Sequence, residues 1–144
     1  MSACKVLFVC IGNACRSQMA EAFARRYGSD VIEAQSAGLA PCGMVSPVTK
    51  ELMLEKNIDM SGHASKGFAQ TGADFDLVVN MSGHRMPGGL RIPVREWRVQ
   101  DPISLSTERH REVRDQIETL VQNLILELRR EARKSGVPRV QPNA

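Results

Sequence analysis

The stretch KVLFVCIGNACRSQMAEAFARRYG, Lys5 to Gly28, decides the fold. Lys5 to Val9 (KVLFV) is a short apolar run of the kind that forms a strand buried on both faces of a parallel sheet. A glycine-containing loop, Cys10 to Arg16, comes next. The segment SQMAEAFARRYG then predicts a helix, with Ser17 as its cap, Glu21 early within it and Gly28 as its stop. Met19, Ala22, Phe23 and Arg26 fall on one side of that helix.

Outward from this unit the same alternation continues. A second strand is expected over Val31 to Ser36, and a helix from Pro47, through Leu52 and Met53, to a stop near Asn57. Asp76 to Asn80 (DLVVN) predicts a third buried strand, and Ile92 to Trp97, bounded by Pro93, a shorter fourth. Thr107 to Arg133 is the longest predicted helix, with Val113, Ile117, Leu120, Val121, Leu124 and Leu128 as its packing stripe. The order β-α-β-α-β-β-α implies an α/β fold whose parallel sheet is covered on both sides. With no internal repeat or linker, residues 1–134 read as one catalytic domain and 135–144 (SGVPRVQPNA) as a disordered tail.

The 144 residues are 42% hydrophobic and 24% charged, the balance of a globular chain able to bury a core. There is no run of eighteen apolar residues and no signal-peptide pattern, which predicts a cytoplasmic protein without membrane partners. A net charge of +3, with scattered basic residues, suits anionic substrates and does not point to nucleic acid. The basic group Arg129, Arg130, Arg133 and Lys134 reads as a solvated helix face. Cys4, Cys10, Cys15 and Cys42 form no C-x-x-C pair, and His63, His84 and His110 are isolated, so neither a metal nor another cofactor is expected. A reducing compartment also disfavours a disulfide framework. At least one cysteine is then present for its reactivity.

The loop between the first strand and first helix is the place for that chemistry, because sites in open α/β sheets form at the carboxyl ends of strands. A helix N-terminus directs N–H groups toward an anion, and Gly12 and Asn13 tolerate the positive φ that a curled loop needs. Five residues separate Cys10 from Arg16, enough to set a thiol below an anion while a planar guanidinium fork grips its oxygens. Arg16, the helix end and the Ser17 hydroxyl all favour a thiolate at Cys10. Asp101, before Pro102 in a loop after a predicted strand, can protonate a departing oxygen and later activate water.

The segment CIGNACRSQMAEAF resembles the signature of the low-molecular-weight protein tyrosine phosphatases and of the arsenate reductases that share their fold. The likeness continues through SAGLAPCGMVSPV (Ser36 to Val48), the strand DLVV and Asp101-Pro102, over about nine-tenths of the chain. The resemblance implies a three-layer α/β/α fold with a four-stranded parallel sheet in flavodoxin-like order. It makes Cys10 the nucleophile, Arg16 the anion clamp and Asp101 the general acid. Ile11, Gly12, Asn13, Ala14, Cys15, Arg16 and Ser17 would bind the substrate, with Asn13, Ser17 and Ser36 as the supporting hydrogen-bond network.

Two activities fit one loop, because arsenate matches phosphate in shape and charge. The leading expectation is phosphomonoester hydrolysis, on a phosphorylated protein or small phosphomonoester, through a cysteinyl-phosphate. The alternative is arsenate reduction with an external thiol reductant such as glutathione. Thioredoxin-coupled arsenate reductases imply two more cysteines after the third strand, but Asn80 to Ile92 has none and Ser82 occupies the region. Gln18 stands where phosphatases carry proline, and Ile103 and Ser104 where they often carry tyrosines; the chain's one tyrosine is Tyr27. Cys15 is read three ways: as a redox partner protecting Cys10, as a resolving thiol in arsenate reduction, or as a small buried residue. His84 and Arg85 face either the cleft or solvent, Trp97 either lines the cleft or packs, and Cys4 and Cys42 receive no role.

Overall fold

The computed structural model describes residues 3–72, 74–88 and 91–134; the predicted tail, 135–144, lies outside the described residues. Strands β1 (Cys4–Cys10), β2 (Ile32–Gly38), β3 (Leu77–Asn80) and β4 (Val94–Glu96) form one sheet in the order β2-β1-β3-β4. All three pairings are parallel, so the chain is an α/β protein with the expected strand order. Helices α1 (Arg16–Gly28), α2 (Pro47–Leu54) and α3 (Thr107–Lys134) connect and follow the strands. Among the described residues no helix is long and apolar enough to cross a membrane.

β1 sits at the centre of the sheet, and Val6 to Cys10 are buried, which is why its sequence is an unbroken apolar run. Alternate residues feed two cores. Val6 and Phe8 face the helices, packing with Met19, Phe23, Val79, Ile117 and Leu124. Leu7 and Val9 face the other way with Ala37 and Val78. That second face is roofed by Phe68, in a 3-10 turn over Phe68–Gln70, with Phe75, Met86 and Ile92 packed against the patch. The sheet is thus covered on both faces as expected, but these two aromatic residues lie outside any α-helix.

Three element boundaries shift for physical reasons. β2 runs on to Gly38 because Gly38 N–H donates to Lys66 O, extending the strand beneath the loop. α2 begins after Ser46, whose hydroxyl accepts from the Thr49 amide, and ends at Leu54, short of the predicted Asn57, which lies at φ 61. β4 shrinks from Ile92–Trp97 to three residues because it pairs on one side only, with β3.

α3 docks on α1 and α2 through its apolar stripe and through two buried polar anchors. His110 Nε2 lies 2.8 Å from Thr49 Oγ1, and the Arg114 guanidinium reaches Leu52 O at 2.9 Å. The hydrogen bonds from Arg111 and Arg114 hold the Glu55 carboxyl far down, at about 2. Gly28 is the last residue of α1, the stop expected from the sequence, although the next residue, Ser29, is right-handed at φ −62 and no left-handed cap forms. Its role is close packing: a Cβ on Gly28 would come within 2.5 Å of Ile125 Cγ1, a stiff branched side chain that is itself buried. Gly28→Ala is therefore expected to cost about 1–3 kcal/mol by overpacking this crossing, read as a lower melting temperature with unchanged activity.

Candidate active site

The loop from Cys10 to Arg16 leaves the carboxyl end of β1 and curls into the start of α1. Every carbonyl from Cys10 to Cys15 is claimed from outside the loop. Leu39, Ala40, Cys42 and Ser46 amides donate to Cys10, Ile11, Gly12 and Ala14 at 2.8–3.0 Å. Gln18 Nε2 donates to Asn13 O and the Met19 amide to Cys15 O. A peptide N–H points opposite its own C=O. With the carbonyls held outward, the N–H groups that follow them are turned toward the interior, where an oxyanion can accept them.

Asn13 is the one loop residue with positive φ, 50°, so the curl expected at Gly12-Asn13 is made by Asn13 alone. Its fully buried amide is the hub of the support. Asn13 Oδ1 accepts from Gln18 Nε2 and from the Lys66 amide, both at 2.8 Å, and Asn13 Nδ2 donates to Ser17 Oγ at 2.8 Å. Because that oxygen is already accepting, its hydrogen is free to point at Cys10 Sγ, 2.9 Å away. The Ser17 amide adds a longer contact to the same sulfur at 3.5 Å. Two hydrogen-bond donors thus converge on a sulfur buried at the floor of the cavity, as a nucleophilic thiolate requires.

This places Ser17 differently from its predicted role as helix cap. α1 starts one residue earlier with Cys15 at the cap position and no side-chain cap, since the serine hydroxyl is committed to the sulfur. Ser36 is buried in β2 opposite Phe8, its hydroxyl donating to Glu21 Oε1 and accepting from Lys66 Nζ, and the Lys66 amide in turn holds Asn13.

Arg16 is buried, and its Nη1 donates to Met81 O, at the end of β3, and to Val99 O at 3.0 Å. Nη2 lies 3.4 Å from Asp101 Oδ2. The guanidinium is held by chain segments 65 and 83 residues away, so its plane is fixed before any ligand arrives. Asp101 is half exposed, and its Oδ1 accepts from the Ile103 amide at 3.1 Å, the turn expected of Asp-Pro.

Cys10, Ile11, Gly12, Ala14, Cys15, Arg16 and Asp101 together line a cavity of about 210 Å³, completed by Ala40, Cys42 and Ile103. The structure therefore brings the predicted nucleophile, clamp and acid to one space. Within the described residues no aromatic ring lines it. His84, Arg85 and Trp97 line a separate hollow of about 720 Å³ with Met81, Arg98 and Val99. Trp97 packs on Phe8 with ring centroids 6.0 Å apart, and His84 and Arg85 are exposed.

Several contributors were not legible from the sequence. Gly38 has no room for a side chain, since a Cβ would lie 2.7 Å from Ile11 O and 2.9 Å from Asn13 N. Gln18, Lys66 and His63 support Asn13, with His63 Nδ1 on Gln18 Oε1 at 2.9 Å. Cys42 stands at the cavity wall. Their only sequence signal is the SAG triplet for Gly38; Gln18 reaches Asn13 from 5 residues away, while Lys66, His63 and Cys42 act across 53, 45 and 30 residues.

Cys15 is buried, and burial pushes its thiol up, against the lowering effect of hydrogen bonds with Thr49 and Ser46. An ordinary exposed cysteine titrates near pH 8.5. Cys15 should therefore be alkylated by iodoacetamide at pH 8 well after the exposed Cys42, as peptide mass spectrometry would follow.

Residues 5–88 match the family described as low molecular weight phosphotyrosine protein phosphatase. The glutaredoxin arsenate reductase of Synechocystis sp. is 37% identical over 86% of this chain and 98% of its own. Arsenate reductase 2 of Staphylococcus epidermidis is 32% identical over 82% and 93%. Among solved structures, an arsenate reductase in the phosphate-binding state superposes with a TM-score of 0.75 at 36% identity, covering 87% of this chain and 98% of that one. An arginine phosphatase of Geobacillus stearothermophilus superposes at 0.77 with 27% identity, covering 90% and 96%. By sequence, strand order and loop alike, the chain belongs to the low molecular weight phosphotyrosine protein phosphatase family.

Proposed function

We propose that this protein is an arsenate reductase that draws its electrons from a thiol system outside the chain. The observation that carries the reading is the small cavity itself. Its 210 Å³ suits a bare tetrahedral oxyanion, and Ala40, Cys42 and Ile103 stand where an aromatic phosphoester would need a stacking wall. Three of the four proteins named above are arsenate reductases and the fourth a phosphatase, a balance that supports reversing the order of the two activities expected from the sequence. The name of the Synechocystis relative suggests glutaredoxin as part of the thiol system here.

In the first step Cys10 thiolate attacks arsenic, and H₂AsO₄⁻ plus one proton gives the Cys10–S–AsO₃H⁻ adduct and water. Asp101, at the cavity wall beside Arg16, supplies the proton to the departing oxygen. The inward N–H groups and the Arg16 fork hold the remaining oxygens, the electrostatic help that matters most where charge is spread over oxygens. A thiol then attacks the Cys10 sulfur, a disulfide forms, and the electron pair of the sulfur–arsenic bond leaves with arsenic as arsenite.

The test is arsenite production by the reduced protein given arsenate and glutathione, with and without glutaredoxin, beside hydrolysis of para-nitrophenyl phosphate. Arsenite formation that needs both Cys10 and added thiol is expected over repeated turnovers. Hydrolysis of the ester without any arsenite would overturn the reading in favour of phosphomonoester hydrolysis, for which Asp101 is equally placed as acid.

A further inference from the structure

Cys42 shares the wall of the cavity that holds Cys10, and its placement there is built, not incidental. The segment after β2 runs along the loop in register: Leu39 donates to Cys10 O, Ala40 to Ile11 O and Cys42 to Gly12 O, at 2.8–3.0 Å. That ladder sets Cys42 against Gly12. The position a Cβ on Gly12 would occupy is 3.6 Å from Cys42 Sγ, so glycine leaves the space between this thiol and the loop without a side chain. The thiol is exposed and donates to Met44 O at 3.2 Å, and Pro41 to Met44 are all exposed around Gly43 at φ 94. Cys15 lines the same cavity, but it is buried, and burial pushes its thiol up against the hydrogen bonds with Thr49 and Ser46.

From this arrangement we infer that Cys42 is the resolving thiol of the site, the group that attacks the sulfur of Cys10 after Cys10 has been modified. The inference deepens the proposed arsenate chemistry and rests on it for its first arm. Cys42 thiolate attacks Cys10 Sγ in Cys10–S–AsO₃H⁻; the sulfur–sulfur bond forms and the sulfur–arsenic bond breaks. Its electron pair goes to arsenic, which falls from As(V) to As(III) and leaves as As(OH)₃ after taking up two protons from solvent. The two cysteines together lose two electrons, and an external thiol reductant later returns them by exchange at the exposed Cys42. The same pair resolves peroxide damage: Cys10–SOH and Cys42 thiolate give the disulfide and hydroxide, without arsenic. A disulfide sets its Cα atoms about 4.4–6.8 Å apart, the separation from Cys10 to which the exposed 41–44 segment has to bring Cys42.

The experiment has two arms on the full chain, wild type and Cys42→Ser. In the first, fully reduced protein meets one equivalent of arsenate with no other thiol, is quenched by acid and alkylation, and is mapped for linked peptides while arsenite is counted. Wild type is expected to release about one arsenite per chain with Cys10 linked to Cys42, and Cys42→Ser to lose that release about tenfold or more. In the second arm hydrogen peroxide replaces arsenate, and the same Cys10–Cys42 link is expected. A Cys10–Cys15 link in either arm, or undiminished single turnover in Cys42→Ser, overturns the assignment. If arsenate yields no arsenite in any variant, the arsenate reading fails, and the peroxide arm alone then decides on Cys42.

Discussion

Replacing Cys10 by serine is expected to stop arsenite production, and any ester hydrolysis, by about 10⁴-fold or more while phosphate binding stays within a few-fold of wild type. A hydroxyl keeps its proton at neutral pH, and an oxygen cannot complete the disulfide that carries two electrons to arsenic. The loop, however, does not depend on the sulfur for its shape. Asn13 is fixed by Gln18, Lys66 and Ser17, and the outward carbonyls are fixed by the 39–46 segment, all of which the substitution leaves untouched. Turnover assays and calorimetric phosphate titration separate the two effects. Residual activity above about one-hundredth of wild type would remove Cys10 from the role of nucleophile.

Arg16→Lys should behave differently, losing activity and stability together. The buried guanidinium serves Met81 O, Val99 O and Asp101 while keeping an edge for the anion. A single ammonium cannot span two carbonyls, a carboxylate and a substrate at once. The loss of the fork predicts a fall in kcat/KM of about 10²–10³, comparable to removing an oxyanion donor elsewhere. A carbonyl left without a partner predicts a further stability cost of about 1–3 kcal/mol. Kinetics and thermal melts on the same preparation test both. A variant that loses activity at unchanged melting temperature would show that the two carbonyl bonds contribute little to the fold.

How much of this was legible beforehand depended on the distance over which each residue acts. β1, the loop and the long α3 were readable because their signals are local: an apolar run, a glycine and an asparagine between a strand and a helix, a stripe at helical spacing. The pairing of Cys10 with Arg16 was readable because both ends lie on one short loop. Ser17 was misread as a cap because its place after the loop fits either role, and only the position of Cys10 Sγ decides. Gly28 was legible as the end of α1, but not its close contact with Ile125, nearly a hundred residues away. Gly38 and Cys42 were missed since what they touch is backbone that the sequence leaves unplaced. β4 was overestimated because a strand paired on one side only has little burial to extend it.

The anchoring of Arg16 has a consequence for how such a site can be moved. Cys10 to Arg16 is a contiguous heptapeptide, and on paper it could be transplanted into any strand–loop–helix junction. Yet the guanidinium is aimed by carbonyls at residues 81 and 99, the curl by an amide at residue 66, and the floor by a glycine at residue 38. A graft of the seven residues would carry the reagents without the jig that holds them. The smallest portable unit is the whole carboxyl edge of the sheet, which ties exchange of this chemistry between proteins to exchange of the entire fold.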